Sequence, residues 1–243
     1  MSEQEQNKVV LVIVAHPDDA EFGCAGTVAL WASEGWDVYY VLCTDGAGGG
    51  PDEATDVGIK AQQEMIKTRK HEQRAAGEVL GIKDVAFLDY PDGQLQPTIE
   101  LRRDLVRALR RYRPARVICQ SPERTWTPDL MIRRYHPDHL AAGEATIEAI
   151  YPASQNPWAF PELMEEGLLP HKVSEIYIMG APVLNYVVDI SSTIEQKLAA
   201  LRAHASQVSS FPEMEERVRK ISSEQGARHG VAYAEEFHRV ENV

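Results

Sequence analysis

Two short segments of this sequence concentrate side chains that can bind a metal ion or transfer a proton. The first is AHPDD at residues 15–19, and the second is HPDH at residues 136–139. Each combines imidazole and carboxylate groups with a proline, which stiffens the chain because its ring fixes one backbone dihedral. Imidazole and carboxylate ligands suit zinc, and iron(II) is also compatible with them. The two segments therefore predict two halves of one metal site that activates water.

The residue types alone leave the assignment of ligands open. A hydrolytic zinc site usually has three protein ligands and one open position for water. A bound metal ion lowers the pKa of that water, and a carboxylate beside it can accept the proton. The two segments offer six candidates, which are His16, Asp18, Asp19, His136, Asp138 and His139.

Local roles within each segment are also considered. Asp18 or Asp19 could simply cap the helix that follows, because a carboxylate accepts hydrogen bonds from the first N–H groups of a helix. His136 and His139 are three residues apart, which can bring both imidazoles to one side of a helix. Asp138 lies between them and can orient an imidazole through its ring N–H. Two His/Asp clusters, each containing a proline, favour the metal site over isolated surface histidines.

The elements around these segments predict a parallel, doubly wound α/β sheet. Apolar, β-branched runs are typical of strands buried on both faces, and we expect strands at 9–15, 38–43, 85–88, 116–119, 175–179 and 186–189. Helical spacing and flanking glycines or prolines predict helices at 25–34, 60–80, 99–112, 137–150, 194–207 and 213–224. Strands that alternate with helices of this length indicate an α/β fold.

Ligands in such sheets bind outside the carboxyl ends of the strands. His16 directly follows the first predicted strand, and we expect Asp45, Asp89 and Ser121 to follow the next three. The sequence therefore predicts that polar side chains from several loops meet at one edge of the sheet.

Length and composition indicate one globular domain over residues 1–243, with residues 1–8 as a short mobile tail. The net charge is −12, from 25 basic and 37 acidic residues, which argues against a nucleic-acid binder and a polybasic membrane contact. We expect no membrane span and no signal peptide, because the sequence has neither a long apolar run nor a basic start before one. Three well-separated cysteines indicate buried thiols in a cytoplasmic protein.

Three other segments carry weaker predictions. The glycine run 46–50 lacks the Gly-Lys-Ser/Thr sequence of a phosphate-binding loop, and we expect a mobile loop beside the active site. The arginine pairs at 102–103 and 110–111 are expected on a solvated helix face. The end of the chain, residues 226–243, has no clear chemistry and could pack on a neighbouring subunit.

Five motifs in order resemble the LmbE-like, or PIG-L, family of zinc-dependent N-acetylglucosaminyl deacetylases. The first is HPDD at 16–19, with Glu21 and Gly26-Thr27 behind it, and HPDH at 136–139 is similar to the second family motif. RKHE at 69–72, PDG at 91–93 and HASQ at 204–207 also look like family features. The resemblance runs from about residue 9 to residue 207, and it implies a Rossmann-like three-layer α/β/α sandwich.

The resemblance also implies roles for individual residues. Zinc would be bound by His16, Asp19 and His139, and Asp18 would be the general base. His136 would stabilise the oxyanion and protonate the leaving amine, with Asp138 orienting it.

For the substrate, the resemblance implies that Arg69 binds sugar hydroxyls. Trp126 is a candidate for lining the sugar subsite, with a structural loop anchor as the alternative. Some sugar-thiol deacetylases have a tyrosine two residues before the first histidine of the second motif. Here Arg134 holds that position and Tyr135 is one residue later, so Tyr135 is a candidate for substrate binding at a shifted position. Many relatives are trimers or hexamers, which implies a homo-oligomer.

Three functions are compatible with the sequence. The first is a zinc-dependent hydrolase that removes the N-acetyl group from a small N-acetylglucosamine-type sugar or sugar conjugate. The second is a metal-dependent amidase that acts on a thiol-sugar conjugate or another amide. The third is a metal-binding accessory subunit without turnover, which the presence of the base Asp18 disfavours.

Overall fold

The computed structural model describes residues 8–51, 53–125 and 135–243. Within these residues the strands are β1 Val9–Val14, β2 Asp37–Thr44, β3 Asp84–Tyr90, β4 Arg116–Gln120, β5 Glu175–Met179, β6 Tyr186–Asp189 and β7 Ala234–Glu241. The helices are α1 Asp19–Ser33, α2 Ile59–Leu80, α3 Ile99–Tyr112, α4 Pro137–Glu148, α5 Pro161–Glu165, α6 Ile194–Ala203, α7 Ala205–Val208 and α8 Met214–His229. A π-helical segment, Ala149–Ser154, continues α4.

The strands form one sheet in the order β3-β2-β1-β4-β5-β7-β6. Parallel pairing joins β3 to β2, β2 to β1, β1 to β4 and β4 to β5. Strand β7 pairs antiparallel with both β5 and β6. This mostly parallel sheet with helices on both faces confirms the predicted α/β/α sandwich.

Strand β1 lies inside the sheet and is buried on both faces, which accounts for the apolar run near the start of the chain. Its alternate side chains enter two different cores, one on each face of the sheet. Val10, Val12 and Val14 pack with α1 and α6, whereas Leu11 and Ile13 pack with the apolar face of α3. Because β1 is buried on both sides, the turn that follows it begins from a rigid support.

Several sequence predictions need correction at the level of elements. Helix α1 begins at Asp19, six residues before the predicted start, and His204 separates α6 from α7. Arg110, predicted to be solvated, is buried because its guanidinium donates to four main-chain carbonyls around the π-helical segment. Cys24, Cys43 and Cys119 are free and buried, as predicted.

The sequence did not predict the strand that the end of the chain forms. Residues 226–243 complete α8 and form β7, which is inserted into the sheet of the same chain. The charged sequence AEEFHRVE hid this strand, because its glutamates and its arginine do not follow an apolar pattern. Among the described residues, no helix has the length and apolar character that a membrane crossing requires.

One glutamate of β7 is buried and has partners on two helices. Glu235 is 2% exposed, and its carboxylate accepts hydrogen bonds from the N–H groups of Gly26 and Thr27 in α1 at 3.0 and 2.8 Å. Lys197 of α6 forms an ion pair with the same carboxylate at 2.6 Å and also donates to the Phe22 carbonyl. The carboxylate therefore ties α1 and α6 to the sheet.

We expect Glu235→Gln to destabilise the fold by about 3–5 kcal/mol, because it leaves the buried Lys197 ammonium without its counter-charge. Urea denaturation followed by circular dichroism measures this free energy of unfolding. The exposed pair between Arg202 and Glu215 provides the matched control, where Glu215→Gln should cost less than about 1 kcal/mol. Equal losses in the two variants would contradict this role of Glu235.

Candidate active site

The first segment forms the turn between β1 and α1. Asp18 has a φ of 82° and ψ of −23°, in the left-handed region that residues other than glycine seldom adopt. It stands at the N-cap of α1, yet its side chain makes no capping hydrogen bond among the described residues. Asp19 Oδ2 instead accepts from the His16 N–H at 2.8 Å. The turn thus leaves the Asp18 carboxylate available for chemistry, and the capping alternative fails for Asp18.

The second segment opens α4. His136 is the N-cap residue, and Pro137 occupies the first helical position, where its missing N–H costs little. The Asp138 N–H donates to His136 Nδ1 at 3.2 Å. Because Nδ1 accepts this bond, the neutral imidazole carries its proton on Nε2. His136 therefore has a donor N–H on the side of the ring that faces away from the helix backbone.

The two segments meet at the carboxyl edge of β1. His16 Nδ1 lies 3.2 Å from His139 Nε2 and 3.3 Å from Asp19 Oδ2. A third contact joins His139 Nε2 to the other carboxylate oxygen, Asp19 Oδ1, at 3.0 Å, so the three residues form a triangle. Ligands about 2.0–2.1 Å from a tetrahedral ion would be about 3.3 Å apart. The three donor groups therefore fit a small divalent cation.

His136 also belongs to this cluster. His16, His136 and His139 each offer a ring nitrogen within 4.8 Å of the others, and the His16 and His136 rings are in edge contact with centroids 4.8 Å apart. Among the described residues, His16 and His139 could thus hold a metal ion together with His136 or with Asp19. His16, Asp92 and Asp138 form a second group of possible ligands.

Carboxylates outnumber cationic groups around His16. Its Nε2 lies 3.1 Å from Asp92 Oδ1 and 3.2 Å from Asp138 Oδ2. Burial lowers the pKa of His16, but hydrogen bonds to Asp138, Asp19 and Asp92 outweigh this and raise the pKa to about 12. Burial raises the pKa of Asp19, yet His139 and His16 hold it well below its ordinary value. This environment favours positive charge, which a divalent cation would supply.

The structure changes the expected partner of Asp138. We expected its carboxylate to orient His136, but it contacts His16 and accepts N–H bonds from Gly93 and Leu95 at 2.7 and 3.1 Å. The first turn of α4 points this fully buried side chain toward the loop after β3, so only its backbone N–H reaches His136. Asp138 therefore fixes the ring of a candidate metal ligand.

We expect Asp138→Asn to weaken metal affinity by about 10–100-fold, because a carboxylate behind a histidine ligand orients the ring and increases its basicity. Titration with a zinc-competing chelator measures the change. The exposed Glu144 on the same helix is the control, and Glu144→Gln should leave the affinity unchanged. Unaltered affinity in Asp138→Asn would contradict the assignment.

Asp92 is a site residue that the sequence reasoning did not assign. We expected Asp89 at the sheet edge, but β3 extends to Tyr90 and Asp89 pairs with Lys70. Asp92 follows the strand, contacts His16 and accepts from the Gly48 N–H at 2.9 Å. The sequence signal for Asp92 is its place in the PDG motif at 91–93. The same contact places the glycine loop beside the site.

Arg69 contacts the turn between β1 and α1. It is 4% exposed, and its Nη2 donates to the Pro17 carbonyl at 2.5 Å and to Asp18 Oδ2 at 3.2 Å. Its binding of sugar hydroxyls stays a prediction. Burial raises the pKa of Asp18 to about 7, and the Arg69 charge opposes that shift. A carboxyl group with a pKa near neutrality is suited to general base catalysis.

The remaining motif residues have definite positions. Glu72, the last residue of the RKHE motif, accepts from the Ser206 N–H and hydroxyl at 2.7 and 2.6 Å, which joins this motif to HASQ. Gln207 donates to the Gly49 carbonyl at 2.8 Å. The Tyr135 hydroxyl accepts from the Thr125 N–H at 3.3 Å. Trp126 lies outside the described residues, so its role stays a prediction.

A cavity of about 680 Å³ opens next to the cluster. Its lining includes Asp19, His139 and Tyr135. It also includes apolar side chains of α1, the end of β5 and α8, namely Phe22, Met179, Val218 and Ile221. The cavity is large enough for a ligand bigger than one sugar ring.

The fold and the site define a class of protein. A His/Asp cluster at the carboxyl edge of a parallel sheet, with the Asp18 carboxylate beside it, is the arrangement of a metal-assisted hydrolase. Residues 11–150 match the family described as PIG-L, GlcNAc-PI de-N-acetylase. The chain belongs to this family.

Individual relatives agree with this membership. The chain is 36% identical over 233 residues to the diacetylchitobiose deacetylase of Thermococcus kodakarensis, covering 94% of this chain and 81% of that protein. It is 30% identical over 204 residues to a probable N-acetyl-alpha-D-glucosaminyl L-malate deacetylase 2 of Bacillus anthracis, covering 82% of this chain and 80% of that protein.

A solved structure gives the same result. The N,N'-diacetylchitobiose deacetylase from Pyrococcus horikoshii, complexed with an inhibitor, superimposes with a TM-score of 0.84 at 33% identity. The match covers 98% of this chain and 85% of that one. The chain is therefore an enzyme that hydrolyses amide carbon–nitrogen bonds, which removes the non-catalytic accessory subunit from consideration.

Proposed function

We propose that this protein is a zinc-dependent deacetylase that removes the N-acetyl group from a small N-acetylglucosamine-type sugar or sugar conjugate. The observation that carries the proposal is the triangle of His16, Asp19 and His139 donor atoms, with the uncapped carboxylate of Asp18 beside it. Relatives whose names specify N-acetylated sugars support the substrate class.

His16, Asp19 and His139 would hold the metal, which we propose to be zinc, with iron(II) as the alternative for the same donors. When bound, the metal would supply Lewis acidity for the acetamide carbonyl and for the attacking water. Asp18 takes the proton from the attacking water, and Arg69 keeps this carboxylate in place through the contact at 3.2 Å.

His136 acts on the carbonyl oxygen of the substrate. Its Nε2–H donates to the carbonyl oxygen as negative charge develops there, which stabilises the tetrahedral transition state. The Asp138 N–H holds the ring in the required tautomer through Nδ1. Asp18 then delivers the proton that it collected to the leaving amine as the carbon–nitrogen bond breaks.

The cavity favours one alternative, an amidase that acts on a larger conjugate. Its apolar lining of Phe22, Met179 and Ile221 could contact a group attached to the sugar, including the thiol part of a thiol-sugar conjugate. The two functions share the same chemistry and differ in the size of the substrate that the cavity holds.

Rates of deacetylation on two small N-acetylated sugars and on one bulky conjugate separate these functions. We expect the zinc-loaded protein to release acetate from N-acetylglucosamine and from N,N'-diacetylchitobiose. If only a bulky conjugate is hydrolysed, the conjugate amidase is the correct function. Release from none of the amides, with zinc bound at full occupancy, refutes both.

The proposal includes the setting of the enzyme. The chain would act as one domain in the cytoplasm, where three free buried thiols would stay reduced. Assembly into a homo-oligomer, either a trimer or a hexamer, completes the proposal, and sedimentation of the purified protein tests it.

A further inference from the structure

The peptide bond between Pro17 and Asp18 is held from both sides by one helix. Arg69 Nη2 donates to the Pro17 carbonyl at 2.5 Å, and the Asp18 N–H donates to Gln73 Oε1 at 3.0 Å. Arg69 and Gln73 are four residues apart on α2, so they lie on one face of that helix. These two bonds fix the plane of the peptide, and with it the left-handed conformation of Asp18.

Gln73 is itself oriented by a second buried residue. Its Nε2 donates to Glu21 Oε1 at 2.9 Å, and both side chains are fully buried. A carboxylate only accepts hydrogen bonds. Glu21 therefore selects the NH₂ group of the Gln73 amide, which leaves the amide oxygen to face the Asp18 N–H.

His204 lies behind Glu21 and is also fully buried. Its Nε2 is 3.3 Å from Glu21 Oε2. Within the described part of the chain, neither of these atoms makes a hydrogen bond to another group. Buried polar atoms without full hydrogen bonding are costly to keep, which indicates that this pair has a purpose other than stability.

We propose that Gln73, Glu21 and His204 are positioning residues that hold the Asp18 carboxylate in the orientation required for proton abstraction. None of the three touches the metal donors in the described contacts, so they act through the peptide that precedes the Asp18 side chain. This inference rests on the proposed function, because it assumes that Asp18 is the base. It gives a role to the HASQ motif and to Glu21, which the chemistry at the metal leaves unexplained.

The first test is Gln73→Met, which keeps the length of the side chain and removes both hydrogen bonds. We expect kcat to fall by about 10–100-fold, because small displacements of a reacting group cost this much. KM and zinc content should be unchanged, since the substituted residue contacts neither substrate nor metal. Gln62→Met, at an exposed position of the same helix, should leave kcat unchanged.

Glu21→Gln provides a second variant should Gln73→Met fold poorly. It preserves the volume of the side chain but allows the Gln73 amide to exchange the positions of its oxygen and its NH₂ group. We therefore expect kcat to fall by a smaller factor than in Gln73→Met. In an Asp18→Asn background, Gln73→Met should cause no further loss, because residues that act through one group are not additive. A full additional loss in that background overturns the proposal.

A structural readout separates this inference from the proposed function. In crystals of Gln73→Met, we expect the φ of Asp18 to leave the left-handed region, and hydrogen exchange at the Asp18 amide to accelerate. If the wild-type protein hydrolyses no amide, the proposed function fails while these readouts still decide the positioning role. An unchanged φ and unchanged exchange at Asp18 would refute the positioning role.

Discussion

Asp18→Asn is expected to lower kcat for amide hydrolysis by about 10²–10⁴-fold, the usual contribution of a general base. Asparagine retains the size of the side chain and an oxygen that can accept from Arg69. It cannot take a proton from water at neutral pH. Because the φ of 82° is one that asparagine also tolerates, the turn should survive the substitution.

The measurement is steady-state acetate release, paired with zinc content by atomic absorption. Zinc should stay bound at the wild-type ratio, since Asp18 is outside the triangle of donor atoms. Asp89→Asn is a matched control, because this aspartate pairs with Lys70 away from the site. Retention of more than about a tenth of wild-type kcat in Asp18→Asn would exclude a general base of ordinary strength.

His139→Ala is expected to release the metal and abolish activity together. The variant removes one of three donors, and the two that remain, His16 and Asp19, come from a single turn. Its zinc content after dialysis should fall to background, whereas His71→Ala, at an exposed position of α2, should keep full zinc.

The stability of this variant carries additional information. With the metal lost, the carboxylates of Asp19, Asp92 and Asp138 lose a counter-charge, so the melting temperature should approach that of the metal-free wild type. Full zinc occupancy in His139→Ala would mean that the ion is held by other groups. His136 is then the first candidate, because it shares the cluster.

The sequence predicted most of the sheet. The apolar runs of β1 and β2 leave no alternative to burial, and β5 and β6 begin and end at the expected residues, although β6 is a partly exposed edge strand. It failed at β7, because burial of Glu235 depends on Lys197 and on N–H groups of α1 that are distant in the chain. A local sequence pattern cannot indicate contacts between residues so far apart in the chain.

The candidate site was likewise predictable where it depends on short motifs, and not where it depends on contacts between elements that are distant in the chain. Residue types and spacing predicted that the two segments meet, and the family resemblance singled out His16, Asp19 and His139 among the six candidates. Which group each side chain contacts was beyond the sequence. Asp138 turned to His16 because α4 approaches the loop after β3, and Arg69 turned to Asp18 because α2 packs on the turn. These orientations are set by how helices dock on the sheet.

Stoichiometry of product release tests the central claim most directly. The metal-loaded protein is incubated with N-acetylglucosamine, N,N'-diacetylchitobiose and a larger N-acetylglucosaminyl conjugate, and acetate and free amine are measured separately. We predict equal amounts of both products from at least one substrate, with neither product after chelation of the metal. Full metal occupancy without acetate and amine from any of them would contradict the account.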